Sequence, residues 1–256
     1  MTEIRPVRRE EGEDFLALLC AVFGLEYERA YQVFFTEPLF ELDRKWALFE
    51  DAAMVSILTT VPLQFGWGAA VGLAGVATRE DCRGHGYASR LLQEVVRASR
   101  EAGEGRLLLF AQRPEFYCRN GFEVIDEAVR GKLRTTAFGY DPAVMSMQEV
   151  RDAYDTWALE KPGRLRRDDR RWHYWQWGMK TGMPFREGYL TLEGGLVREA
   201  VPGGGDAWPV APGTDWFGLR STMEDCQVPV ENPVPELVLM GRDIPGPVTM
   251  FMTDQF

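Results

Sequence analysis

Apolar positions change period along the chain, and the changes predict its elements. "EIRPVR" reads as a first strand. In "REEGEDFLALLCAVFGL", Phe15, Leu18, Leu19 and Val22 recur at helical spacing behind an acidic first turn, which a helix dipole favours. "YERAYQVFFTEP" predicts a second helix, stopped by Pro38. "KWALFED", "AAMVSILTTVPLQF" and "AAVGLAGVAT", the last two joined by "GWG", predict three antiparallel strands. In "YASRLLQEVVRASREAG", Leu91, Leu92, Val95 and Val96 share one helix face and Gly103 stands just past its end. "GRLLLFA" is a short unbroken apolar run, the mark of a strand buried on both faces. "RPEFYCRNGFEVID" adds a short helix or turn and a further strand. The order β-α-α-β-β-β-α-β-α-β is a mixed α/β layout of the α+β class, closing near residue 128.

Beyond it the composition shifts. "MQEVRDAYDTWALEKPGRLRRDDRRWHYWQWGMK" reads as helical and rich in Arg and Trp. "YLTLEGGLVREAV" reads as strand, Glu-Gly-Gly turn and strand, "PGGG" at Pro202–Gly205 as a hairpin loop, and the tail as two or three short strands. The expected division is a first domain over 1–130 and a smaller α+β domain over 131–256, with the boundary in 128–145. No internal sequence repeat relates the two.

Composition changes this picture little. At 45% hydrophobic and 27% charged, the chain is an ordinary globular sequence. A charged N-terminus without an apolar run, and no stretch of roughly 18 apolar residues, argue against a signal peptide and a membrane span. Cys20, Cys82, Cys118 and Cys226 form no C-x-x-C pair, and only two histidines exist, so reduced thiols in a cytoplasmic protein and no metal are expected. A net charge of −10 speaks against nucleic acid and toward a cationic small molecule.

The chemistry lies in "TREDCRGHGYASRLL". Strand, glycine loop and helix put unpaired amides and the positive end of a dipole at one point, which suits a diphosphate. A Cβ at Gly84 or Gly86 would stand between backbone and phosphate, and Arg83 could add a cation. A Rossmann reading has its third small residue in Ser89 but fails because the next strand ends in Ala111, Gln112 and Arg113, without a carboxylate for a ribose. A P-loop reading fails for want of G-K-[ST].

R-x-x-G-x-A, met by Arg83, Gly84, His85, Gly86, Tyr87 and Ala88, resembles the GNAT superfamily of acyl-CoA-dependent N-acyltransferases. "YCRNGF" is similar to that family's Tyr-x-x-x-Gly-Phe through Tyr117, Gly121 and Phe122. The resemblance implies a mostly antiparallel sheet flanked by helices, and acetyl-CoA as co-substrate. Its pantetheine arm would pair with Val76, Ala77 and Thr78, and its pyrophosphate would lie on Gly84, His85, Gly86, Tyr87, Ala88 and Ser89. A splay between the fourth and fifth strands would admit it. Tyr117 would protonate the departing thiolate.

Many members of the family carry a glutamate base on the fourth strand, but "VGLAGVAT" has none. Glu50, Asp51, Asp254 or a water chain are alternatives. The two-part layout and "GRLRRDDRRWHYWQW" resemble the family's Eis-like branch. That likeness implies a terminal carboxylate, here on Phe256, as base, a small amine as acceptor, and a homo-oligomer. The missing glutamate keeps a second reading open, a catalytically silent acyl-CoA-binding regulatory module. The Arg/Trp segment has the residue types of a nucleic-acid platform. Trp172 and Trp175 at i,i+3 fit a docking face better, with the arginines paired to Asp168, Asp169 and other acids.

Overall fold

The computed structural model describes residues 1–135, 143–178, 180–201 and 208–256, and its first half follows the expected order element by element. β1 (Thr2–Pro6) leads into α1 (Gly12–Phe23) and α2 (Tyr27–Phe34), then into β2 (Lys45–Glu50), β3 (Ala53–Phe65) and β4 (Gly68–Thr78). α3 (Tyr87–Glu101), β5 (Leu107–Ala111), the single turn α4 (Glu115–Cys118) and β6 (Glu123–Leu133) complete it. α3 buries Leu91, Leu92, Val95 and Val96, each large apolar side chain contributing about 1.5–3 kcal/mol. The helix ends where Gly103 turns left-handed. Leu107 and Leu109 join the cluster under α3, while Leu108 between them joins the cluster on the other face. That division explains the unbroken apolar run of β5.

The second half departs from expectation in four places. The Arg/Trp-rich stretch is two helices, α5 (Met147–Glu160) and α6 (Asp169–Trp177), separated at Pro162 and Gly163 and by the short β7 (Leu165–Arg166). β8 (Gly182–Phe185) precedes the expected hairpin of β9 (Gly188–Glu193) and β10 (Leu196–Val201), turning through Gly194 and Gly195. β11 (Asp215–Leu219) and α7 (Arg220–Asp225) lie in a stretch that gave no strand or helix signal. The first part of the tail is one long strand, β12 (Val230–Arg242), where two or three short ones were expected along its length. Pro233 and Pro235 suggest breaks. The ladder instead slips between Glu231 and Val234 and between Pro235 and Leu237, so both prolines sit at irregularities that need no donated hydrogen bond. The Pro202–Gly205 loop lies outside the described residues, as do residues 136–142 of the expected boundary region.

Among the described residues the strands order as β1-β2-β3-β4-β5-β12-β6-β11-β10-β9-β8, with β7 beside β3. β4–β5 and β10–β11 pair parallel, and the remaining pairs are antiparallel. Two features position the site. β12, from the end of the chain, lies between β5 and β6. β6 runs through residue 130, so the expected 130/131 division falls inside a strand.

Candidate active site

β4 and β5 pair only at Val71–Leu107, Gly72–Leu108 and Leu73–Leu109. β4 continues to Thr78, so Ala74–Thr78 have no ladder neighbour on that side. The register against β3 slips by one residue between Ala74 and Ala77, a bulge that carries β4 away from β5. The two strands therefore part beyond Leu73 and Leu109, where the family resemblance implies a splay. Ala77 is buried, Val76 is half-buried against the α3 cluster, and the Thr78 hydroxyl lies 2.9 Å from that of Ser56. The side chains of all three are occupied by the fold. What this unpaired edge offers is backbone.

The chain next passes a 3-10 turn and enters α3 through Gly86. Gly84 and Gly86 hold φ of +82° and +78°, and a Cβ on either would meet no atom within 4 Å. They are glycine because of the backbone angle, and the space above them is open. Among the described residues no acceptor takes the amides of Gly84 to Ser89, and the first hydrogen bond of the helix is Arg90 N to Gly86 O. Arg83 is exposed, its Nε 3.5 Å from Thr78 O. His85 is exposed, with Nδ1 3.2 Å from Cys82 O and its ring stacked on Tyr87 at 5.8 Å. Ala88 keeps the helix entry small. The Ser89 hydroxyl accepts from Asn120 Nδ2 at 3.4 Å, so its side chain serves the fold and its amide remains free.

Asn120 also donates to Phe116 O at 2.8 Å, tying α3 to the turn that carries Tyr117. Tyr117 is half-buried in the same cluster as Val76 and Tyr87. Its ring packs edge-on against Phe116 at 4.9 Å and Phe122 at 6.2 Å. Burial raises its pKa above the ordinary tyrosine value, so the phenol stays protonated at neutral pH.

On the other side of β4 a cavity of about 250 Å³ opens between α1, the segment after α2, β3, β4, α6 and the chain end. Phe256 lines it and packs its ring against Phe110 at 5.7 Å. A Cβ at Gly72 would come within 2.5 Å of that ring. Gly72→Ala is therefore expected to unseat Phe256, with hydrogen exchange rising over residues 252–256 and a stability loss of about 1–3 kcal/mol. Unchanged exchange there would mean the ring has room to move aside.

The side-chain bases expected from sequence are not placed for the work. Glu50 and Asp51 stand at the far end of β2 beside the N-terminal amine, because the β2–β3 turn points away from the cavity. Asp254 is buried and accepts from Arg167 at 2.7 Å. The carboxylate side chain that does line the cavity is Glu37. Burial raises its pKa, with Lys45 pulling partly the other way. "FFTEPLF" had been legible only as a helix stop, and Lys45 only as the start of a strand; nothing local in either marks a pocket wall.

The Arg/Trp segment is core. Trp172 and Trp175 are buried, as are Arg164, Arg167 and Arg171. The arginines do not pair with Asp168 and Asp169 as expected. Asp168 is used as the cap of α6, accepting from Arg171 N at 2.8 Å, and Asp169 pairs with Arg151. Arg164 instead reaches Asp225 and Glu160, Arg170 reaches Glu41, and Arg167 binds Glu199 and Asp254. Tyr189, Trp175 and Thr253 also donate to Glu199. Among the described residues no group of His, Cys, Asp and Glu could hold a metal ion, all four cysteines are free, and no helix is long and apolar enough to cross a membrane.

Residues 3–125 match the family model described as an acetyltransferase (GNAT) domain. A GCN5-related N-acetyltransferase from Kribbella flavida superposes with a TM-score of 0.68 at 14% identity, covering 94% of this chain and 72% of that one. A putative acetyltransferase from Pyrococcus horikoshii gives 0.67 at 11% identity, covering 98% and 92%. Eis1 from Mycobacterium abscessus gives 0.64 at 13% identity, covering 93% and 73%. No curated protein sequence matches the chain.

Proposed function

We propose that this chain, which belongs to the GNAT superfamily through residues 3–125, moves an acetyl group from acetyl-CoA to the primary amine of a small acceptor. One observation carries the reading: the unclaimed amides of Gly84 to Ser89, under open space, stand beside a β4 edge without a partner strand. A helix N-terminus with free N–H groups favours a pyrophosphate, and a bare strand edge offers backbone groups to the amide-bearing pantetheine arm. The amine nitrogen attacks the thioester carbonyl, the new C–N bond forms and the C–S bond breaks. Tyr117 gives its proton to the leaving sulfur. The Eis-like likeness assigns the amine's proton to the carboxylate on Phe256, and Phe256 does line the cavity. The acceptor enters from that cavity, on the side of β4 where α1 and α6 meet the chain end. The protein works in the cytoplasm, as a homo-oligomer if the branch likeness extends to assembly.

The test is thermal unfolding with acetyl-CoA, with NAD and ATP as controls. Ligand at 100 times its Kd should stabilise by about 2.7 kcal/mol. Gly86→Val, which puts a branched side chain at φ +78°, should abolish the acetyl-CoA shift. Stabilisation by NAD or ATP alone would sink the proposal. Release of thiol with any amine would then separate an enzyme from a silent acyl-CoA-binding module.

A further inference from the structure

Lys45 is a buried cation in the wall of the acceptor cavity, with no carboxylate in ion-pair contact. It opens β2, is 5% exposed, and lines the cavity. Its ammonium lies over the rings of Phe34 at 5.1 Å and Phe40 at 5.3 Å. Among the described residues the ammonium makes no hydrogen bond and no ion pair within 4.0 Å, and only the backbone of Lys45 is paired. Burial lowers its pKa, and Glu37 and Glu41 offset this only in part. A buried ammonium left without hydrogen-bond acceptors is costly unless something supplies them.

The rest of the lining sharpens the point. Arg171 is a second cation on the same cavity, buried, donating to Pro62 O at 2.7 Å and standing 3.8 Å from Asp254. Gln255 and Tyr174 add neutral polar groups. Beside the two cations stand the Glu37 side chain and the carboxylate on Phe256 that the proposed chemistry uses as base, so it is the isolation of the Lys45 ammonium, and not an excess of cations, that asks for an acceptor group. The cavity's volume of about 250 Å³ lies below the 300–1,000 Å³ of most ligand pockets, which limits the acceptor to the size of a small metabolite.

We infer that the acceptor is an amino acid or a close analogue of one, whose carboxylate is received by Lys45 while its amine faces the acyl donor. The inference rests on the acetyltransferase reading and adds the acceptor's second functional group. Lys45 is a specificity residue here: it binds the part of the acceptor that does not react. Glu37, on the same lining, disfavours acceptors with a second carboxylate on its side.

The test compares matched acceptors that differ only in the carboxylate: alanine with alaninamide, phenylalanine with phenylalaninamide, and lysine with lysinamide. Thiol release from acetyl-CoA is followed for the wild-type protein, Lys45→Met and Lys45→Arg. At least one acid should be preferred over its amide by 10-fold or more in kcat/KM. That preference should collapse toward unity in Lys45→Met and survive in Lys45→Arg, with the acetyl-CoA stabilisation unchanged in both. Because Lys45→Met removes an unpaired buried charge, its melting temperature should be no lower than wild type. Amides that turn over as well as acids, an acid preference that persists in Lys45→Met, or no turnover with any acid would overturn the inference. In each of these cases an intact acetyl-CoA shift leaves the acetyltransferase reading standing, and loss of that shift removes both.

Discussion

Tyr117→Phe should leave acetyl-CoA stabilisation intact and cut turnover by about 10²–10⁴-fold, the range a positioned general acid supplies. The ring's contacts with Phe116 and Phe122 survive the change, so the fold is undisturbed. The lost hydroxyl makes no hydrogen bond among the described residues, so no buried partner is orphaned by its removal. The pH dependence gives a second readout. Only the protonated phenol can act as an acid, and burial raises its pKa above the ordinary value, which is about 10. The wild-type rate should thus hold through mildly alkaline pH and fall as pH rises through that raised pKa. In Tyr117→Phe the residual rate should lack that limb. Turnover within about threefold of wild type would remove Tyr117 from the chemistry and leave the sulfur to be protonated by water.

The largest effect on stability should come from Arg167→Met. The guanidinium is fully buried between Glu199 and Asp254, and it lies over Tyr154 at 3.9 Å and Trp172 at 4.7 Å. Replacing a buried ion pair outright can be neutral, but removing one partner leaves an uncompensated charge and costs about 3–5 kcal/mol. Here one arginine serves two carboxylates. Burial pushes the Glu199 carboxyl up, but Arg167 and the hydrogen bonds from Thr253 and Tyr189 hold it below its ordinary value. A lowered folded pKa means stability that is present above the unfolded pKa and lost as pH falls through the folded one. In Arg167→Met that sign reverses: Glu199 loses its cation, its pKa rises, and protonation on folding becomes favourable. Denaturant titrations should therefore show the deficit at pH 7 shrinking toward pH 4. Adding Glu199→Gln and Asp254→Asn should recover part of it. A deficit that does not change with pH would mean the loss comes from packing around Tyr154 and Trp172 and not from the carboxylates.

How much of this was legible depends on where each signal resides. The glycine loop, the buried run of β5 and the face of α3 are local patterns, set by residues near in sequence, and each appears in the structure where the pattern put it. β12 was misjudged because Pro233 and Pro235 are strand breakers by local rules, and only the partners β5 and β6 make a bulged strand there worthwhile. Glu37, Lys45 and Arg171 meet across more than a hundred residues of chain. No period or motif marks them, and their shared role exists only once the segment after α2, β2 and α6 have been brought together. The same holds for Arg167, whose partners Glu199 and Asp254 come from two separate later segments.

The place of β12 also bears on how the chain comes off the ribosome. β5 and β6 are complete by Leu133, but the strand that separates them begins at Val230. At synthesis rates of about 5–20 residues per second, on the order of a hundred intervening residues keep both edges waiting for several seconds or more. During that interval each offers an unpaired row of backbone groups beside apolar side chains, a surface on which a second nascent chain could pair. The charged exposed pair of Arg130 and Glu236 on the two late-meeting strands gives the correct closure a registration mark. Stalling between these points leaves β5 and β6 with both edges open until Val230–Arg242 is made.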